Sequence, residues 1–528
     1  MKHLAVAAAL LPGLALAAPV GHPGGANLTY GDVSIHHNMM SNITNPAYGA
    51  SSWAQGDGEY RFGLLNGGFF YEMGKLDDIV DEADAASTAL ENSVSTGTLN
   101  VSQAGGTITI TNTATSGSAT IDPDQVISDS LNSMAADGYD GSEPDFNSEL
   151  SSRVTAAMTA EVDAAVNNLA STLVDDINNT ISPTVVKLND DGYLKGGLMA
   201  HVPFSPLVIS NDFLKGSLAL SASLYTRGKA HYHSSYIQPA ATVDMQGALQ
   251  FAGGDATDAN NYSIDESAVN PSYDIASDAA VVTKIANITE FGLGYSRSVL
   301  GNEQGKLVAG ARVNLYRVGL STSYTSLEGS QETDDLLEDQ MDASLDMENG
   351  VGLDVGAMWV ADNYSLGATV NNLNSPSFDF TNVTDCTTFN NYVDPNDANN
   401  NVTSTVRIQC NTAESYTMDP QVRLEAVASV WDEAATLGLG YDANGVKDPF
   451  GDEYQWLTVS AGANWGNWAA GRIGYRANQA DKGLTYYSVG LTLFGVSLDV
   501  AWSDETITFE GDEIPRSVYA NLGWGLSF

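Results

Sequence analysis

The chain has 528 residues, of which 65 are acidic and only 21 basic, giving a formal net charge of −44. So little Lys and Arg excludes a surface that grips nucleic-acid phosphates. Apolar residues are scattered among 51 Gly and 23 Tyr rather than gathered in blocks of ~20, which excludes helical membrane spans and fits strands that wet one face.

Met1-Lys2-His3 is a short basic start, Leu4 to Leu16 is apolar, and Ala15-Leu16-Ala17 offers the small residues a signal peptidase reads. Residues 1–17 are therefore read as an export signal, cut after Ala17. No cysteine follows the cut, which argues against a lipid anchor. The next segment, residues 18–60, carries Asn45-Pro46-Ala47, where proline pre-sets one backbone geometry.

Residues 61–192 begin with an expected strand, Arg61 to Tyr71, and then change character. Lys75–Ser93 and Pro144–Ile181 place Ala, Leu and Val at helical spacing among many acids, with a small hairpin expected over Thr98–Ile121. These helices are too polar for lipid. The expectation is a water-exposed insertion, periplasmic or lumenal.

From residue 193 to 528 the period becomes two. Strands are expected at Leu218–Tyr225, Ala241–Phe251, Ile288–Val299, Lys306–Tyr324, Val351–Val360 and Leu366–Val370. Leu457, Val459, Ala461, Ala463 and Trp465 alternate with Thr458, Ser460, Gly462 and Asn464 before a tight turn at Gly466-Asn467. Further tight turns fall at Asp432-Glu433 and Phe494-Gly495, while acidic connections at 442–454, 477–483 and 504–514 form the opposite rim. Such a chain closes into an all-β transmembrane barrel of roughly 14 antiparallel strands. If it ends on the periplasmic side, parity puts the tight turns inside the cell envelope and the long loops outside. Cys386 and Cys410 lie in one of those outer loops and are read as a disulfide.

The last strand has Val518, Ala520, Leu522, Trp524, Leu526 and Phe528 on one face, and Tyr519, Asn521, Gly523, Gly525 and Ser527 on the other. Its ending, with Tyr519, Leu522, Trp524, Leu526 and Phe528, resembles the signal that outer-membrane barrels present to the barrel assembly machinery. A polar residue at 528 is expected to impair insertion.

Asn45-Pro46-Ala47 is similar to the motif of FadL-type barrels. RFGLLNGGFFYEMGKLDDIVDEADA (Arg61 to Ala85) and GVGLDVGAMWVADNYSLGATVNNLNSPSF (Gly350 to Phe378) resemble the exported TraF-type proteins of conjugal transfer. The resemblance implies a FadL-like barrel in a Gram-negative outer membrane, with Asn45, Pro46 and Ala47 in a plug that enters the lumen. It also implies a role in plasmid transfer or in passage of a hydrophobic molecule. The alternatives are a fatty-acid transporter with a lateral opening in its wall, and a receptor or adhesin using its acidic outer loops. Implied partners are outer-membrane lipid and lipopolysaccharide, the assembly machinery, and conjugation machinery or a hydrophobic ligand. The thioredoxin-like periplasmic TraF shares only a name, since no Cys-x-x-Cys occurs here.

Gly-x-Ser-x-Gly and His-Glu-x-x-His are both missing, so neither an enzyme nor a cofactor is expected. His231 and His233 fit a polar wall better than a metal site. Asp442-Ala443-Asn444-Gly445 with Asp448 lacks the distal Glu of a calcium loop and is read as a solvated turn. The acids Asp334, Asp335, Glu338, Asp339, Asp342 and Asp346 are read as a solvated loop in preference to a cation-holding one. Arg472 and Arg476 alternate with outward Ile473 and Tyr475, so both should face the lumen and pair with an acid such as Asp499.

Overall fold

The computed structural model describes residues 27–527 apart from 37, 56–59, 76–98, 105–106, 113–117, 235–236, 245–248, 265–269, 278–279, 327–345, 383–387, 391–404, 408–413, 432, 467, 481–482 and 510–511. Lys75–Ser93 beyond Lys75, Cys386, Cys410, Phe528 and the acidic loop before Asp346 thus lie outside the described residues.

Fourteen antiparallel strands close into a ring. They are β1 (Tyr60–Met73), β2 (Tyr193–His201, continued by Leu207–Asn211), β3 (Gly216–His233), β4 (Ala280–Asn302), β5 (Gly305–Ser326), β6 (Met347–Val360) and β7 (Tyr364–Asn371). The second half holds β8 (Gln421–Val430), β9 (Ala435–Asp442), β10 (Trp456–Trp465), β11 (Ala469–Asn478), β12 (Thr485–Leu493), β13 (Val496–Ser503) and β14 (Ser517–Ser527). Closure comes from β1 against β14, with Arg61 opposite Ser527 and Glu72 opposite Ser517. A closed ring leaves no strand edge bare, which is what lets strands cross lipid.

The alternation of side chains inverts the usual soluble pattern. Leu437, Leu439, Val459, Ile473, Val489, Leu491 and Leu498 are exposed on the outside, while Thr436, Thr458, Ser460, Arg472, Arg476, Ser488 and Asp499 are buried inside. Trp431, Trp465, Trp468 and Phe494 mark the tight-turn rim, and Tyr441, Tyr475 and Tyr487 form a second aromatic row across an apolar band. Tyr475 of β11 stands seven positions beyond Trp468, about 23 Å along the strand. That is the outer surface of a transmembrane barrel, greasy between two aromatic girdles. No helix among the described residues is long and apolar enough to cross a membrane.

One expected wall strand is corrected. Residues 241–251 are not a wall strand: Ile237–Asp244 pairs with Asn270–Ser277, and Leu249–Phe251 with Tyr262–Ile264, as ribbons outside the ring. Period-two alternation marks any two-faced strand, whether it meets lipid or another domain. The side of the ring on which the insertion stands follows from the strands that flank it. It leaves β1 at Met73 and returns at β2, so it stands on the rim of the long loops, opposite the tight turns.

That insertion contains a three-stranded sheet (Leu99–Ala104, Thr107–Asn112, Ser118–Ile121) and helices α1 (Pro123–Ala136) and α2 (Phe146–Asp191). Asp122 caps α1 by accepting from the Asp124 amide at 3.0 Å, with Pro123 at the first helical position. Ile108, Ile110, Val126, Met134, Leu150, Val154, Met158 and Val162 form its core together with Ala256, Ala259 and Tyr262 from the β3–β4 connection. Two separate stretches of chain thus make one cap.

Candidate functional site

The lumen is filled from both ends. From the tight-turn side comes the segment Asn27–Trp53, almost all of it buried. Its short turns cannot bury themselves, and the barrel wall completes them. The Thr29 amide donates to Asp499 Oδ2 at 3.0 Å. Ser34 donates to Glu425 through its amide (2.7 Å) and hydroxyl (2.9 Å), and Asn45 Nδ2 donates to the same carboxylate at 2.7 Å. Arg312 Nη1 donates to the Ile43 carbonyl at 2.8 Å, and Asp32 pairs with Arg423 at 3.3 Å and Arg476 at 3.6 Å.

Asn45, Pro46 and Ala47 press closely against the wall. Asn45 Oδ1 also accepts from the Ala47 amide at 3.0 Å, fixing the turn around Pro46. Behind the turn stand Gly310 on β5 and Gly356 on β6. A Cβ at residue 310 would strike the Pro46 carbonyl, and one at residue 356 the Asn45 side-chain oxygen. Ala47 and Tyr48 are wholly buried with Tyr30, Val33, Ile35, Trp53, Val308 and Met358, so this apolar contact is packed rather than hollow.

From the long-loop side, residues 443–455 between β9 and β10 fold inward. Their tip reaches β2 and β3, half-way round the ring. Asp448 pairs with Arg227 at 3.2 Å, both about 2% exposed or less, and Asp452 pairs with Lys229 (2.8 Å) and Lys195 (3.0 Å). Lys195 also meets Glu72 at 3.0 Å and donates to the Tyr454 hydroxyl at 3.0 Å. The Arg227 guanidinium lies 4.8 Å from the Phe70 ring centre. Burial would raise the Asp452 carboxyl, but Lys195 and Lys229 outweigh it and hold the group below its ordinary value. The solvated turn expected over Asp442–Asp448 is therefore a correction: both carboxylates are buried, Asp442 receiving Arg423 Nε at 2.9 Å.

Between plug and loop remains a cavity of about 90 Å³, lined by Asp32 and Thr44 of the plug, Glu290, Arg312, Asp354 and Arg423 of the wall, and Lys447 and Trp456 above. Its wall charges pair with one another: Arg312 meets Glu290 at 3.3 Å and Asp354 at 3.0 Å. This cavity is polar, where passage of a hydrophobic molecule through the lumen would require an apolar one.

Arg472 is turned inward and bonds Asp499 through Nε at 3.0 Å; Arg476 instead faces Asp32. On β14, Leu522, Trp524 and Leu526 are exposed outside, and Tyr519 is buried inside, stacked on Phe70 with ring centres 4.9 Å apart. His231 lies on β3 opposite Val282, and His233 opposite Ala280. No cluster of three metal-ligating side chains occurs among the described residues. Sequence reasoning passed over Glu425, Arg423, Arg312 and Arg227; Arg423 and Glu425 flank exposed Leu424 and Arg312 precedes exposed Val313, whereas Arg227 lies between Thr226 and Gly228 and carries no such signal.

One break interrupts the wall. Between His201 and Leu207, β2 gives up its ladder, Phe204 adopts a φ of 69° and projects outward beside Phe62, and the Ser205 hydroxyl takes over by accepting from the Ala222 amide at 2.8 Å. His201 is buried behind the break.

Closed strand ring, apolar belt and plugged polar lumen together define a transmembrane β-barrel. The chain belongs to the family described as "F plasmid transfer operon, TraF, protein", whose model matches residues 42–442. No curated protein matches it in sequence. Among solved structures it is similar to CdiB from Acinetobacter baumannii (9% identity, TM-score 0.25, covering 63% of this chain and 57% of that one). It is also similar to a deletion mutant of TodX, titled a monoaromatic hydrocarbon channel (10%, 0.27, 61% and 85%), and to mutants of the Rh. blastica porin (11%, 0.20, 59% and 92%). Likeness this loose adds nothing to the fold, which stands on the closed ring.

Proposed function

We propose that this protein is a non-enzymatic barrel of the outer membrane that serves the envelope apparatus of plasmid transfer, held shut in its resting state. The family's description supports the transfer role. The observation that carries the closed state is the plug, which the wall receives through Glu425, Asp499 and Arg312. A barrel that spends buried hydrogen bonds on closing its own lumen is not an open diffusion pore. Deleting the gene in a donor strain should cut plasmid transfer at least about tenfold while uptake of long-chain lipids stays unchanged; normal transfer would overturn the reading.

A second reading, entry of a hydrophobic molecule from the lipid side, is favoured by the break at residues 202–206, where Phe204 and Phe62 face outward. It makes the opposite demand. Growth on long-chain lipids should then fail on deletion, and transfer should persist.

A further inference from the structure

We propose that residues 443–455 are a hinged lid over the long-loop mouth of the barrel, latched shut by Asp448 and Asp452 on Arg227, Lys195 and Lys229. The inference stands on the geometry of this loop and holds whichever cargo the barrel serves.

Three features make a lid of this loop. Its base is anchored to its own side of the rim: Asn444 bonds the Val422 amide (2.9 Å) and the Pro420 carbonyl (2.9 Å), and the Gln455 amide donates to Asn478 (2.8 Å). Its tip is a rigid unit. Asp448 Oδ1 accepts from the amides of Phe450 (2.9 Å) and Asp452 (3.0 Å), the Asp448 amide donates to the Asp452 carbonyl (2.9 Å), and Gly451 supplies the left-handed residue of the turn at φ 88°. Its hold on the far wall runs through side chains: Arg227 on Asp448, Lys229 and Lys195 on Asp452, Lys195 on Tyr454, and Phe450 packed among Tyr225, Ile288 and Tyr416. The tip can therefore let go whole, without unpairing any strand.

Beneath the tip lies the polar cavity, for which Val446, Lys447 and Trp456 form the roof. Lifting the lid widens that cavity towards the long-loop side, and its lining suits small hydrophilic solutes and water, not lipid. Ion pairs are the right fastening for such a device. Arg227 and Asp448 each keep a charge that is costly to leave bare, so the open state requires water to enter and replace the partner. The closed state is thereby the stable one and opening is rare.

The test uses the full chain folded in lipid vesicles, with Cys386→Ser and Cys410→Ser, and spin labels at Lys447→Cys on the lid and Asp190→Cys at the end of α2, across the same long-loop mouth. Lys195→Gln with Lys229→Gln removes the wall partners of Asp452, leaves Arg227 on Asp448, and keeps the loop sequence intact. Asp452→Asn is the milder partner should the double variant fail to assemble, and heat-modifiable migration reports assembly. The expected result is a longer, broader distance between the labels. In the same variants without labels, trypsin cleavage after Lys447 should be at least about tenfold faster. Asp512→Asn with Glu513→Gln, on a separate exposed hairpin, should change neither. Assembled latch variants whose label distance and cleavage rate equal those of the unaltered chain would overturn the proposal and make the loop a fixed part of the wall.

Discussion

Gly310 and Gly356 are two hydrogen atoms where any other residue would put carbon, and the plug's turn occupies that space. Gly310→Val or Gly356→Val is therefore expected to leave the barrel assembled but expel Asn45–Ala47, seen as conductance in planar bilayers where the unaltered protein is silent. A silent, assembled Gly310→Val barrel would show that the plug has another resting place. Glu425 is the complementary case, since one carboxylate serves Ser34 twice and Asn45 once. Glu425→Ala strands buried donors at about 1–3 kcal/mol each. Faster amide exchange at Ser34 with unchanged exchange in β11 is the expected signature.

At the level of elements, each strand is a two-sided object whose faces meet different solvents. Ile473 lies within the apolar band, on the side nearer Tyr475 than Trp468. Ile473→Arg should cost about 1–3 kcal/mol of insertion free energy, between the interfacial and midplane values, and reduce the heat-modifiable fraction, whereas its inward neighbour Arg472 is already paired with Asp499. This two-sidedness is why so much of the wall could be read from the chain: β10 to β14 repeat a period that only strands have, and their tight turns mark the ends. The same period misled at 241–251, because a ribbon against water alternates as well as one against lipid. Contacts inside the lumen were hidden for a different reason. Thr29 and Asp499 are 470 residues apart, and Asn45 and Glu425 are 380 apart, so no local spacing connects them. The inward charges announced that partners existed without saying which.

Across the whole molecule, the cap on the long-loop rim is built from residues 99–191 and 249–264, with β2 and β3 threaded between them. Replacing residues 76–191 by a short linker should leave a heat-modifiable barrel but expose Ala256, Ala259 and Tyr262. Protease should then cut near residues 252–261, which resist it in the intact chain. Removing both stretches together should restore resistance.

Because that shared core is complete only once Tyr262 has arrived, it imposes a timetable on biogenesis. A nascent chain emerging amino end first finishes its cap with three of fourteen staves delivered, and those three are then clasped at one end while the other eleven are still in transit. The seam between first and last stave would close around a hoop already fastened, so the cap acts as a jig for the cylinder as well as a cover for its mouth.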